Sequence, residues 1–145
     1  MWNEIKSDSD VLDLMNGFCY FHDSCIKEIK YISGAYVNED LSMYPTNDLR
    51  RLSIIIQRQF EENPVMELEF SGLNYIKLFP ADENHTCEIL DATIILKSDC
   101  IYWCDCGKIK EEDLARYQGI TVCASKLRWR IVEGCIGSKE VYVFR

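Results

Sequence analysis

Cys100, Cys104 and Cys106 share a parity, so an extended backbone would set three thiols on one sheet face, where thiolates can hold a soft metal. Structural zinc sites usually wrap the ion in a tight Cys-x-x-Cys knuckle, and the chain contains none. The residues between these thiols are Ile101-Tyr102-Trp103 and Asp105, which favours core packing over a metal or redox centre. His22-Asp23 offers the imidazole and carboxylate of acid–base catalysis, with Cys19 or Cys25 as a nucleophile beside it. Adjacent residues seldom face one another, however, and neither a nucleophile elbow nor a glycine-rich anion nest accompanies them. Asp23 is therefore expected to turn the chain and His22 to satisfy a backbone carbonyl. His85, beside Asp82-Glu83, reads as a solvated side chain, with weak metal binding as the alternative.

Glu67 and Glu69 share one strand face, but a hydrolase needs one acid desolvated and the other polar, and nothing in the sequence makes their surroundings unequal. Lys126, Arg128 and Arg130 form a basic ladder. Cross-strand balance with Glu67 and Glu69 is the expectation, ahead of an anion-binding surface. Tyr44 differs from the other aromatics, because it sits in a long polar connection with Glu39, Asp40 and Asp48 around it. An exposed ring fringed by acids suits a basic partner protein, the charges steering encounter and the ring anchoring it. Asp82 and Glu83 form a second acidic loop of the same kind.

These residues need elements to position them. Ser7 can cap a helix over 8–16, with Asp10 completing a capping box, Val11, Leu12 and Met15 forming a stripe and Gly17 a stop. Residues 24–37 read as a bent strand or hairpin, and 38–48, with Pro45, as an exposed connection. Residues 49–60 carry Leu52, Ile54, Ile56 and Phe60 on one parity, a β-branched run suited to a pleated sheet. Residues 65–71 alternate Met66, Leu68 and Phe70 against Glu67 and Glu69; Gly72 and Asn74 predict a turn into a second strand over 75–79. Residues 89–97 and 100–106 form a hairpin about Ser98-Asp99, 111–118 a second short helix, and 122–132 a strand that turns at Gly134 and Gly137 into 141–144. The expected architecture is α+β: a mainly antiparallel sheet or partly closed barrel with two short helices.

The chain has 145 residues, 48% of them hydrophobic and 12% aromatic, so it can bury a core and is expected to be one globular domain over 1–145. Its 16 Lys+Arg and 24 Asp+Glu leave a net charge of −8, which disfavours phosphate backbones and anionic membranes. No nucleic acid and no membrane is expected as partner; the oligomeric state stays open. The acidic start without an apolar stretch lacks a secretory signal, and the eight cysteines fall short of a disulfide scaffold, so a cytoplasmic protein with reduced thiols is expected.

Phe21-His22-Asp23-Ser24, Leu127-Arg128-Trp129-Arg130 and Ile101-Tyr102-Trp103 together resemble segments of small uncharacterised cytosolic bacterial proteins of this length, some similar to immunity proteins of toxin systems. The resemblance implies no catalytic residues and a partner-binding role. The expected function is non-enzymatic and cofactor-free binding of another protein, with immunity-type inhibition of a basic toxin as its specific form. Contacts are expected at Glu39, Asp40, Tyr44, Asp48, Asp82 and Glu83. The alternatives are a small metal- or thiol-dependent enzyme built on His22, Asp23 and the cysteines, and a ligand-binding barrel.

Overall fold

The structure is a computed structural model that describes residues 1–143. Strand β1 (Asn3–Glu4) leads into helix α1 (Asp8–Gly17) and a short left-handed turn at Cys19–Phe21. There follow β2 (Ser24–Ile32), β3 (Tyr36–Val37), β4 (Met43–Tyr44), β5 (Arg51–Arg58), β6 (Val65–Lys77), β7 (Glu88–Ile89), β8 (Thr93–Leu96), β9 (Ile101–Cys104) and β10 (Thr121–Ile131). The main sheet has the order β7-β2-β5-β6-β10-β9-β8, with β1 paired beside the C-terminal half of β10; all pairings are antiparallel. Strands β3 and β4 form a separate two-stranded ribbon.

One face of this sheet is the core. Leu52, Ile54 and Ile56 of β5, Met66, Leu68 and Phe70 of β6, and Val122, Ala124 and Leu127 of β10 all point to it. Helix α1 covers that face with Leu14, Met15 and its C-cap residue Phe18. Its start is held by the capping box: the Asp10 amide donates to Ser7 Oγ at 3.2 Å, and the Asp10 carboxylate accepts from the Ser7 amide at 2.9 Å. Trp103, fully buried, meets Phe21 edge to face at 6.0 Å.

Two irregularities keep the apolar pattern in register. A bulge between Ile26 and Glu28 allows Ile26 and Ile29, of opposite parity, to reach the same core. In β6, Phe70, Leu73 and Ile76 all face the core at three-residue steps, because Gly72 is left-handed (φ +62°) and a bulge falls opposite Cys123/Ala124. The turn expected at Gly72 and Asn74 is therefore a kink within one 13-residue strand.

Other expectations are corrected as well. The second helix reduces to a single 3-10 turn, Glu111–Asp113, after which the Lys77 ammonium takes the carbonyls of Leu114 (2.6 Å) and Tyr117 (3.0 Å). No strand forms over 141–143; the amides of Val141 and Tyr142 donate instead to the Glu28 carboxylate, and Phe144 lies outside the described residues. Among the described residues the sheet does not close into a barrel. Its edge strands β7 and β8 are nevertheless consecutive in the chain, and the four steps from Ile89 to Thr93 reach at most about 14 Å, so the sheet must curl strongly. The Ala92 amide donates to the Tyr20 carbonyl at 3.0 Å, tying the turn after α1 to the link between the edges.

Candidate functional site

Residues 33–50 leave the sheet between β2 and β5 as a projecting arm. Its root is clamped where the Arg50 amide donates to the Ser33 carbonyl (3.2 Å) and the Asn47 side chain donates to the Gly34 carbonyl while accepting from the Leu49 amide (2.8 Å). The ribbon of β3 and β4 is locked by Tyr36 stacked on Tyr44, with centroids 4.9 Å apart. At the tip, the Asn38 amide donates to the Ser42 carbonyl at 2.8 Å and Leu41 turns the chain with φ +70°. The Asp40 carboxylate accepts from the Ser42 hydroxyl and amide, and these two bonds hold its pKa below the usual carboxylate range.

All four arm residues singled out from the sequence, Glu39, Asp40, Tyr44 and Asp48, are exposed. The sequence reading missed their apolar companions: Val37, Leu41 (83% exposed) and Met43 (68%) stand in solvent on the same ribbon. The signal was present as the matched pairs Tyr36/Tyr44 and Val37/Met43 about a polar centre, which is a hairpin pattern.

Asp82 and Glu83 are exposed in the connection from β6 to β7. Asp82 spends its carboxylate on the amides of Asn84 (2.8 Å) and His85 (2.9 Å). Among the described residues no hydrogen bond or ion pair joins this loop to the arm. His85 is half-buried rather than solvated, its Nε2 3.6 Å from Asp105 Oδ2. Asp105 also accepts from the Tyr117 hydroxyl, and burial, then this carboxylate, pushes the Tyr117 pKa up.

His22 Nδ1 lies 2.7 Å from the Leu90 carbonyl and Asp23 occupies a left-handed turn (φ +57°), as their spacing suggested. Both side chains are exposed, with His22 Nε2 3.5 Å from Asp23 Oδ1. All eight cysteines are free thiols: Cys104 and Cys123 are buried, Cys25, Cys100, Cys106 and Cys135 half-buried, Cys19 and Cys87 exposed. Burial raises the pKa of Cys25, Cys100 and Cys104. The Cys104 thiol lies 3.4 Å from the Cys106 carbonyl, and Cys106 falls beyond the end of β9. Among the described residues no three His, Cys, Asp or Glu side chains converge as a ligand set.

The face of the sheet away from α1 is polar and is built in rows. In one, Glu28, Ile55, Glu67 and Arg130 stand abreast on β2, β5, β6 and β10; in the next, Lys30, Ser53, Glu69 and Arg128. The expected cross-strand pairs form within these rows: Arg130 Nη2 to Glu67 Oε2 at 2.8 Å and Arg128 Nη2 to Glu69 Oε1 at 2.7 Å. The Trp2 ring lies over both guanidinium groups, at 4.2 and 4.4 Å. Tyr142 bridges the first row, its amide on Glu28 and its hydroxyl donating to Glu67 at 2.9 Å, which accounts for the complete burial of Ile55 between them.

Comparison with models of known protein families, with curated proteins and with solved structures finds no significant match. No helix among the described residues is long and apolar enough to cross a membrane.

Proposed function

We propose that the protein acts by binding another protein through the 33–50 arm, as an immunity-type inhibitor that occupies a basic toxin. The observation that carries this reading is a paired ribbon, with Tyr36 stacked on Tyr44, offering Val37, Leu41, Met43 and Tyr44 to solvent beside Glu39 and Asp48. In the free chain these apolar side chains contribute nothing to the core. Fully burying one against a partner is worth about 1.5–3 kcal/mol, enough for two or three to anchor a complex. The acids supply the long-range attraction that accelerates encounter with a cationic surface. Asp82 and Glu83 extend the acidic surface and are secondary contacts in this reading.

The test is capture from lysate of the source cells with the wild-type chain and with an L41A/M43A/E39K/D48K variant, both checked for the same thermal unfolding. The reading expects a basic protein retained by the wild type, inhibited one to one, and lost by the variant. A partner held equally well by both chains, or inhibition that survives the variant, overturns it.

A further inference from the structure

We propose that the polar face of the sheet carries a binding site for a phosphate group, centred between Arg51 and Lys126. The register that sets Leu52 opposite Phe70 places Ser71 beside Arg51, and Lys126 lies opposite Ser71 on the other side. Arg51, Ser71 and Lys126 thus form one row on adjacent strands, the two cations two strand spacings, about 10 Å, apart at the backbone. Both side chains are long enough to converge on an oxygen cluster above the Ser71 hydroxyl. One row further along stand Lys30 and Ser53.

Charge bookkeeping on this face singles out the same residues. Glu69 is taken by Arg128, Glu67 by Arg130 and Tyr142, Glu4 by Lys6 at 2.8 Å, and Glu28 by the amides of Val141 and Tyr142. Among the described residues, no carboxylate lies within 4.0 Å of the side-chain nitrogens of Lys30, Arg51 or Lys126. Lys30 Nζ lies over the Tyr142 ring at 5.4 Å, whereas Arg51 and Lys126, without an ion-pair partner among the described residues, repel one another across Ser71, and a bound anion removes that repulsion.

The space for such an anion is present. A cavity of about 460 Å³ is lined by Arg51, Ser71, Lys126 and Arg128, with Ile5 and Leu49 as its apolar wall; the two carboxylates in its lining, Glu4 and Glu69, are those paired with Lys6 and Arg128. A second, of about 300 Å³, adjoins it through Arg51, Glu69 and Arg128 and brings in Lys30, Ser53 and Trp2 together with the Glu67–Arg130 pair. These volumes fall at the lower end of the range for small-molecule sites. A guanidinium fork and an ammonium flanking a hydroxyl donor match a tetrahedral dianion better than a single carboxylate, which would answer only one of the two cations. The apolar wall has room for an organic group carried by the phosphate.

Calorimetric titration at constant ionic strength with inorganic phosphate, phenyl phosphate and acetate tests this. Saturable binding of phosphate and phenyl phosphate without acetate is expected; tighter phenyl phosphate binding marks an organic phosphate as the ligand, equal affinity a free phosphate. R51A/K126A should weaken binding at least about tenfold, the loss of one or more charge-assisted hydrogen bonds. K126Q alone, at an exposed position, should weaken it measurably in a sheet that keeps its thermal unfolding, while R116A leaves it unchanged. No saturable binding of either phosphate, equal binding of acetate, or affinity indifferent to both K126Q and R51A/K126A overturns the proposal.

Discussion

Glu67 shows why a carboxylate in the middle of a sheet needs several partners at once. Its side chain is 6% exposed, a burial that would be prohibitive for an isolated charge. Arg130 Nε reaches its Oε2 at 2.9 Å, and the Tyr142 hydroxyl reaches Oε1. Replacing Glu67 by Ala would leave a half-buried guanidinium and a half-buried phenol unpartnered. We expect E67A to lower unfolding stability by about 1–3 kcal/mol in urea titration, with E67Q milder because its amide oxygen still accepts a hydrogen bond. Lys6 and Glu4 form an ion pair of similar length, but both are exposed and screened, and it carries no comparable weight.

Gly72 is the corresponding position at the scale of the element. It sits at φ +62° in the middle of β6, and a Cβ there would lie 2.7 Å from Ser125 Oγ and 2.9 Å from Ser125 Cβ. G72A should therefore cost about 1–3 kcal/mol from backbone strain and contact together, read as a lower urea midpoint. Adding S125G should recover only the contact part, because the left-handed backbone remains. The same kink explains why the sequence suggested two strands here: a glycine after a clean alternation signals a turn when no neighbour is known. In place, β10 pairs with β6 on both sides of the kink and holds it straight enough to continue. Helix α1 was legible because its capping box and apolar stripe are local. The 111–118 segment is too short to hold a helix by local signals alone, and its carbonyls at Leu114 and Tyr117 are met by Lys77, far away in sequence.

Across the whole molecule, two phenols tie alkaline stability to the packing of elements apart in the chain. Burial, then the charge of Glu67, raises the Tyr142 pKa, and burial, then Asp105, raises that of Tyr117. In each case the folded state holds its proton more tightly than the unfolded chain, whose phenols titrate near about pH 10. Their contribution is fully present below that pH and is lost as pH rises toward the folded values. Urea midpoints should therefore fall steeply above about pH 10, with tyrosinate absorbance growing in step with unfolding. Y142F should flatten part of that slope; an unchanged slope would show that Tyr142 ionises freely in the folded chain.

Sequence by itself determined what depends on near neighbours: the alternation of β5, β6 and β10, the cap of α1, the β8–β9 hairpin, and the acidic connection that became the arm. It named Lys126, Arg128 and Arg130 as a ladder and Glu67 and Glu69 as its counterparts. Only the tertiary structure decided that Lys126 is left over, that Arg51 and Ser71 share its row, and that Leu41 and Met43 stand in water. Alternation assigns a side chain to a face, whereas its partner depends on register between strands remote in the chain, which bulges, kinks and the closing of long loops set only when the sheet assembles.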